Sequence, residues 1–354
     1  MPRDSATRDQ LLAVLPAIEQ HENISTINQF IALNSATAPT LDTWLATAGR
    51  IPADEGFGGR SSTDDTAPPN APAPTDVCGT KIPVGTHKLF DADAANAFNQ
   101  DMPLRLLAAS AESSVLPENL RYQVAQAALV RAILLDQPTI AHRMTPLLVH
   151  CRSAWAPVLA AYNASTTADD RKLNGLLSLM RFASTEPSVR NGEERRGGFA
   201  TYDSYRQNWW CTTIPKWDRT VDDNPSYHNL YADQTQLSSL AYPLFLTAAD
   251  RSDAATEVAS LEKIPSASRY FATQALSWWR VHPSNPHTPD LLGEADRVLR
   301  NSCRAELPYD SKTGKQTGDP DDPNLTANLA HAIFNALHKD YPQSAWAKRY
   351  KSWE

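Results

Sequence analysis

Glycine is scarce in this chain, with 13 among 354 residues and half the number of its 26 prolines. Nucleotide-binding α/β folds and hairpin-rich β folds need glycine at phosphate loops and at turns of positive φ, so both are disfavoured. Long apolar runs are missing too, and no window approaches the ~20 residues of a membrane span. The start, MPRDSATRDQLLAVLPAIEQ, lacks the apolar stretch of a signal peptide. With Met1 as the native start the chain therefore reads as cytoplasmic; as a trimmed piece it reads as periplasmic or exported. Positive charge is not in excess, since 33 Lys and Arg stand against 40 Asp and Glu, a net −7. The densest basic stretch, RNGEERR at 190–196, carries two glutamates of its own, so a nucleic-acid partner is disfavoured and a solvated loop expected.

Only four cysteines occur, Cys78, Cys151, Cys211 and Cys303, with no CxxC and no Cys/His spacing suited to zinc. Four cysteines allow three full pairings, which the sequence leaves open. In a cytoplasmic chain they read as buried thiols; in an exported one Cys211 with Cys303 is the first pair to test. The HExxH, GxSxG, P-loop, GxGxxG and EF-hand patterns are all absent. No catalytic residue, metal site or cofactor is expected.

What is present is a map drawn by glycine and proline. Six glycines lie at 49–85, three at 192–198 and two at 314–318, leaving only Gly175 and Gly293 inside periodic segments. The glycine-free intervals 86–174 and 199–292 are the expected helical bodies. Residues 1–50 read as short N-terminal helices, ending in one that carries Leu41, Trp44, Leu45 and Ala48. Residues 51–85 read as a Pro/Ser/Gly-rich linker with too few large apolar residues to offset the entropy of ordering. A helical sub-array follows at 86–198, and an aromatic-rich segment with further helices at 199–354.

Within the sub-array, Pro117 and Glu118 suit a first helical turn, and Thr167 with Asp170 forms a capping-box-like pair. Pro146 and Pro157 predict two short helices or one kinked helix between. Downstream, periodicity predicts helices at 237–247, 249–263, 268–281, 290–303, 324–340 and 344–353, with DSKTGKQTGDPDDPN as a polar loop. The DPDDPN at 319–324 could attract a cation, but it lacks the glycine and closing glutamate of a calcium loop, so a solvated turn is expected.

Eight aromatics crowd the 35 residues from Phe199 to Asp233 without a sustained period. Tyr202, Tyr205, Trp209, Trp210 and Trp217, beside Asp203, Asn208, Asp218 and Asp222, are the candidate binding residues. Flat apolar faces and nearby polar groups suit a carbohydrate or peptide, while Trp209 and Trp210 equally suit a packed junction between helical sub-arrays. The histidines pair poorly for metal: His142 and His150 are separated by Pro146, and His331 with His338 offers only two ligands.

Two segments, HPSNPHTPDLLGEADRVLRNSC at 282–303 and HKDYPQSAWAKRYKSW at 338–353, resemble tetratricopeptide-like helical repeats. In each, His or an aromatic precedes Pro at a helix end, a polar turn follows, and an apolar helix opens after it. From Leu116 onward the layout is similar to a group of bacterial helical-repeat proteins that share Asn-Trp-Trp-Cys and His-Pro-x-x-Pro features. That resemblance implies an all-α fold of stacked helical hairpins, a TPR-like α-solenoid, and transfers no catalytic residues. Stacked hairpins create a concave surface, so the expected function is a non-enzymatic scaffold for a protein or peptide partner. The alternative is a helical glycan-active enzyme or carbohydrate-binding protein that uses the aromatic segment 199–233.

Overall fold

The computed structural model describes residues 40–47, 50–52, 78, 88–90, 97–181, 245–261, 263–264, 267–300 and 319–352. These are helical except for one antiparallel pair of three-residue strands, β1 (Arg50–Pro52) and β2 (Lys88–Phe90), with Ile51 opposite Leu89. The helices are α1 (Leu41–Thr47), α2 (Leu104–Glu112), α3 (Glu118–Leu134), α4 (Pro138–Cys151), α5 (Trp155–Asn163) and α6 (Ala168–Arg181). They continue with α7 (Ala248–Leu261), α8 (Ala267–Val281), α9 (Thr288–Arg300), α10 (Thr326–Asp340) and α11 (Ala345–Arg349). None is long and apolar enough to cross a membrane. The described chain forms two compact units: one holds the residues up to Ala156 together with 245–261, the other Pro157–Arg181 and everything from 263 onward.

In the first unit α2, α3 and α4 pack against one another. Helix α3 is buried nearly all round, and the alanines at 125, 127, 128 and 132 let its neighbours come close. Between α3 and α4 the chain turns at Asp136, whose φ of 51° is the left-handed conformation that ends many helices and that Asp tolerates better than most residues. The two short helices expected around Pro146 and Pro157 are α4 and α5, divided at residues 152–154, with Pro146 inside α4. Trp44 of α1 is fully buried, edge-on to Phe98 at 5.2 Å and tilted against Phe245 at 5.9 Å.

The same unit is braced by buried polar bonds between distant segments. A five-residue π-helical turn, Ala97–Asp101, precedes α2, and α7 packs against it. The Arg131 guanidinium, 1% exposed, donates to Phe98 O at 3.1 Å and Met102 O at 3.3 Å, so α3 holds one carbonyl near the start of that turn and one just past its end. The Glu257 carboxylate accepts from Leu104 N at 2.7 Å, so α7 caps α2, whose own N-cap, Pro103, offers no side-chain acceptor. Helix α7 itself opens on a reciprocal cap: Thr247 Oγ1 accepts from Asp250 N at 3.1 Å and Asp250 Oδ2 accepts from Thr247 N at 2.7 Å. Burial pulls the Asp250 carboxyl upward, but the bonds from Thr247 and Arg105 more than offset this and hold it below the usual carboxylate range.

The second unit shows two successive helical hairpins, α8 with α9 and α10 with α11, packed against each other, with α6 along α9. Pro283 and Pro342 follow the ends of α8 and α10 as the sequence pattern implies. Thr167 and Ser344 cap α6 and α11, accepting from Asp170 N and Ala347 N, each at 3.1 Å. Trp346 packs its ring against Gly293, its Nε1 donating to Asp290 at 3.2 Å. A β-carbon at Gly293 would enter the Trp346 ring, so only glycine lets α11 seat on α9. Gly293→Ala is therefore expected to destabilise this unit by about 1–3 kcal/mol in urea titration. In a Trp346→Ala background the same change should reverse sign and stabilise by about 1 kcal/mol, because alanine is the better helix former and nothing opposes its methyl.

Candidate functional site

The sequence-derived site residues Tyr202, Tyr205, Trp209, Trp210 and Trp217, like Cys211 and Cys303, lie outside the described residues. Among those described, the best candidate surface is the end of the second unit where the turns of its two hairpins meet. It is assembled from the turn-proline pattern upward. Val281 ends α8, the chain turns through His282 and Pro283, and Thr288 opens α9. Thr288 Oγ1 accepts from Trp278 Nε1 at 3.2 Å and donates to His282 O at 2.8 Å, while the His282 ring stacks on Trp278 at 4.1 Å. One threonine thus ties both ends of the turn to a buried tryptophan.

The second turn repeats the device at lower cost in side chains. Phe334 and His338 stack at 3.9 Å one helical turn apart, and His338 Nδ1 hydrogen-bonds Phe334 O at 2.9 Å. The turns are joined directly. Tyr341 OH donates to Pro283 O at 2.5 Å, and Trp279 Nε1 donates to Asp340 Oδ2 at 2.9 Å. Burial, with the Asp340 charge beside it, raises the Tyr341 phenol above its usual value, so it stays a hydrogen-bond donor at neutral pH.

These bonds leave a ledge of half-exposed rings, Trp279, His282 and Tyr341, beside Val281, which at 70% is the most exposed large apolar side chain among the described residues. A rigid, partly apolar rim with hydrogen-bonding edges can stack on or pack against another chain. The sequence pattern identified both prolines of this surface, but it gave no sign that the two turns touch.

The remaining candidates are accounted for locally. His142 and His331 are exposed, and His150 Nε2 lies 2.7 Å from Glu118 Oε1. In the acidic turn, Asp319 and Asp322 each accept from a backbone N–H two residues on at 2.9 Å, and Asn328 donates to Pro320 O and Asp322 O. No group of three or more His, Cys, Asp or Glu is placed to hold a metal among the described residues.

The reading of the cysteines as buried thiols is corrected for two of them. Cys78 and Cys151 are joined by a disulfide across 73 residues of sequence. Residue 78 falls in the stretch expected to be a linker, and the bond ties it to the C-terminus of α4. Sequence alone left three pairings open and put Cys211 with Cys303 first in an exported chain, a choice compatible with Cys78–Cys151. Compared with known proteins, the chain matches no family model, no curated protein and no solved structure.

Proposed function

We propose that this protein is a non-enzymatic helical-repeat scaffold that engages a protein or peptide partner, and that it works in an oxidising compartment outside the cytoplasm. The observation that carries the scaffold reading is the contact between successive hairpin turns, Tyr341 OH to Pro283 O with Trp279 to Asp340 beside it. Hairpins that pack side by side with their turns in register are the unit from which helical solenoids are built. The ledge of Trp279, Val281, His282 and Tyr341 is the surface offered to the partner. Its aromatic composition matches the residue types that dominate protein interfaces. The compartment reading is supported by Cys78–Cys151, because structural disulfides persist where thiols are not kept reduced.

The test is affinity capture from lysate of the source cells, with mass spectrometry of the retained proteins, using the wild-type chain and Val281→Glu. Val281 is largely solvated, so the variant should keep its melting temperature while losing at least ten-fold in capture of a specific protein. Equal capture by both chains would remove the ledge from the interface. Retention of oligosaccharides on a glycan array, with no protein retained, would favour the glycan-active alternative.

A further inference from the structure

The charged groups around the π-helical turn come from three helices. From α3, Arg131 holds the carbonyls of Phe98 and Met102. On α2, Arg105 pairs with Asp250 and lies 3.7 Å from Asp253, both on α7. From α7, Glu257 caps Leu104 N, and Arg251 donates to Leu246 O at 3.0 Å while its charge faces Asp101. Each of these except Asp253 is fixed by a hydrogen bond.

Asp101 differs. It is the last residue of the turn, 8% exposed, and no hydrogen bond reaches its carboxyl among the described residues. A buried carboxylate without a donor is strongly disfavoured relative to the neutral acid. Short π-helical segments strain the regular backbone ladder and recur at functional positions, so this turn is a natural place for a movable joint.

We propose that the contact between the π-helical turn and α7 is a proton-operated latch, closed while Asp101 holds its proton and loosened when Asp101 ionises. Burial pushes the Asp101 carboxyl up to about 7, the Arg251 charge opposing it. In the opened turn the same group is solvated and titrates in the ordinary range near 3.8. A carboxyl whose value is raised in the closed form stabilises that form fully below the ordinary range. The stabilisation declines as pH rises and is gone above about 7. Glu257, also raised by burial against the pull of Leu104 N–H, Arg131 and Arg105, acts in the same direction; Asp250, held low, acts in the opposite one. A variant at Asp101 separates its share from theirs.

Hydrogen–deuterium exchange of peptides covering 97–104 and 248–261, corrected for intrinsic base catalysis, reads the latch directly in the full chain. Between pH 5 and pH 8 the wild-type opening constant should rise by about one to two orders of magnitude, as a shift from 3.8 to about 7 implies. In Asp101→Asn, which keeps the shape but cannot ionise, the rise should be at least ten-fold smaller. In Arg251→Gln, which removes the opposing charge, the midpoint should move to higher pH. A wild-type rise that survives unchanged in Asp101→Asn overturns the proposal, as does a flat wild-type profile. If the Asp101 variant does not fold, an unmoved midpoint in Arg251→Gln overturns it instead.

Discussion

Replacing Arg131 with methionine is expected to cost the first unit about 3–5 kcal/mol, measured as a lowered urea midpoint at unchanged slope. The guanidinium is 1% exposed and spans two carbonyls of different residues, Phe98 and Met102. Methionine fills similar volume but donates nothing, and Glu257, whose charge Arg131 offsets, remains in place. Lysine should not rescue the loss, because one ammonium cannot reproduce the fork that reaches both oxygens. Coupling gives a sharper check: adding Glu257→Gln to Arg131→Met should cost less than the two single losses summed.

Arg143 provides the contrast. It holds Glu112 through two bonds, Nε to Oε1 at 2.9 Å and an Nη to Oε2 at 2.6 Å, a more regular pairing than Arg131 makes. Both partners are more than a third exposed, so water screens the pair, and Arg143→Met should cost less than about 1 kcal/mol. If the two arginine variants lost equal stability, burial would not be what gives Arg131 its weight.

Opening the Cys78–Cys151 bond is the second large effect expected. The crosslink closes a loop of 73 residues, for which chain entropy in the unfolded state gives about 4 kcal/mol. Cys78→Ser with Cys151→Ser, or reductant added to the wild type, should lower the melting temperature of the first unit by similar amounts. Thiol titration checks the bond itself: the denatured but unreduced chain should offer at least two thiols fewer than the reduced one. Four reactive thiols before reduction would show that the bond does not form in solution, and would withdraw the argument for an oxidising compartment. With Cys78 and Cys151 joined, Cys211 with Cys303 is the only pairing left for the other two.

Much of the helical layout was legible because helix starts and stops are local. Thr167 reaches Asp170 and Ser344 reaches Ala347 across three residues, a spacing visible in any sequence. Pro283 and Pro342 announce the ends of α8 and α10 because a proline has no N–H to continue the ladder. The Thr247–Asp250 cap carries the same signal, but the sequence reading began that helix one residue late. Pro146 and Pro157 pointed to two short helices, which α4 and α5 are, but the break between them falls at residues 152–154 and at neither proline.

The candidate surface was only half legible. Its prolines and aromatics stand in the sequence, but the contact between Tyr341 and Pro283 spans 58 residues, and no periodicity encodes it. Trp346 could be recognised as a seat for α11, and Gly293 as one of two glycines inside helical segments; that each requires the other depends on ring and backbone meeting in space.

By itself, then, the sequence determined the all-α class, the positions of the helix-ending prolines and caps, and the absence of the common catalytic motifs. Each of those follows from chemistry within a few neighbouring residues. Tertiary structure decided which cysteines pair, that Glu257 caps a helix 153 residues away, and that Asp101 is buried near the Arg251 charge with no donor to its carboxyl among the described residues. Those outcomes depend on which groups meet after burial, where desolvation and the closing of long loops outweigh any preference of the local chain.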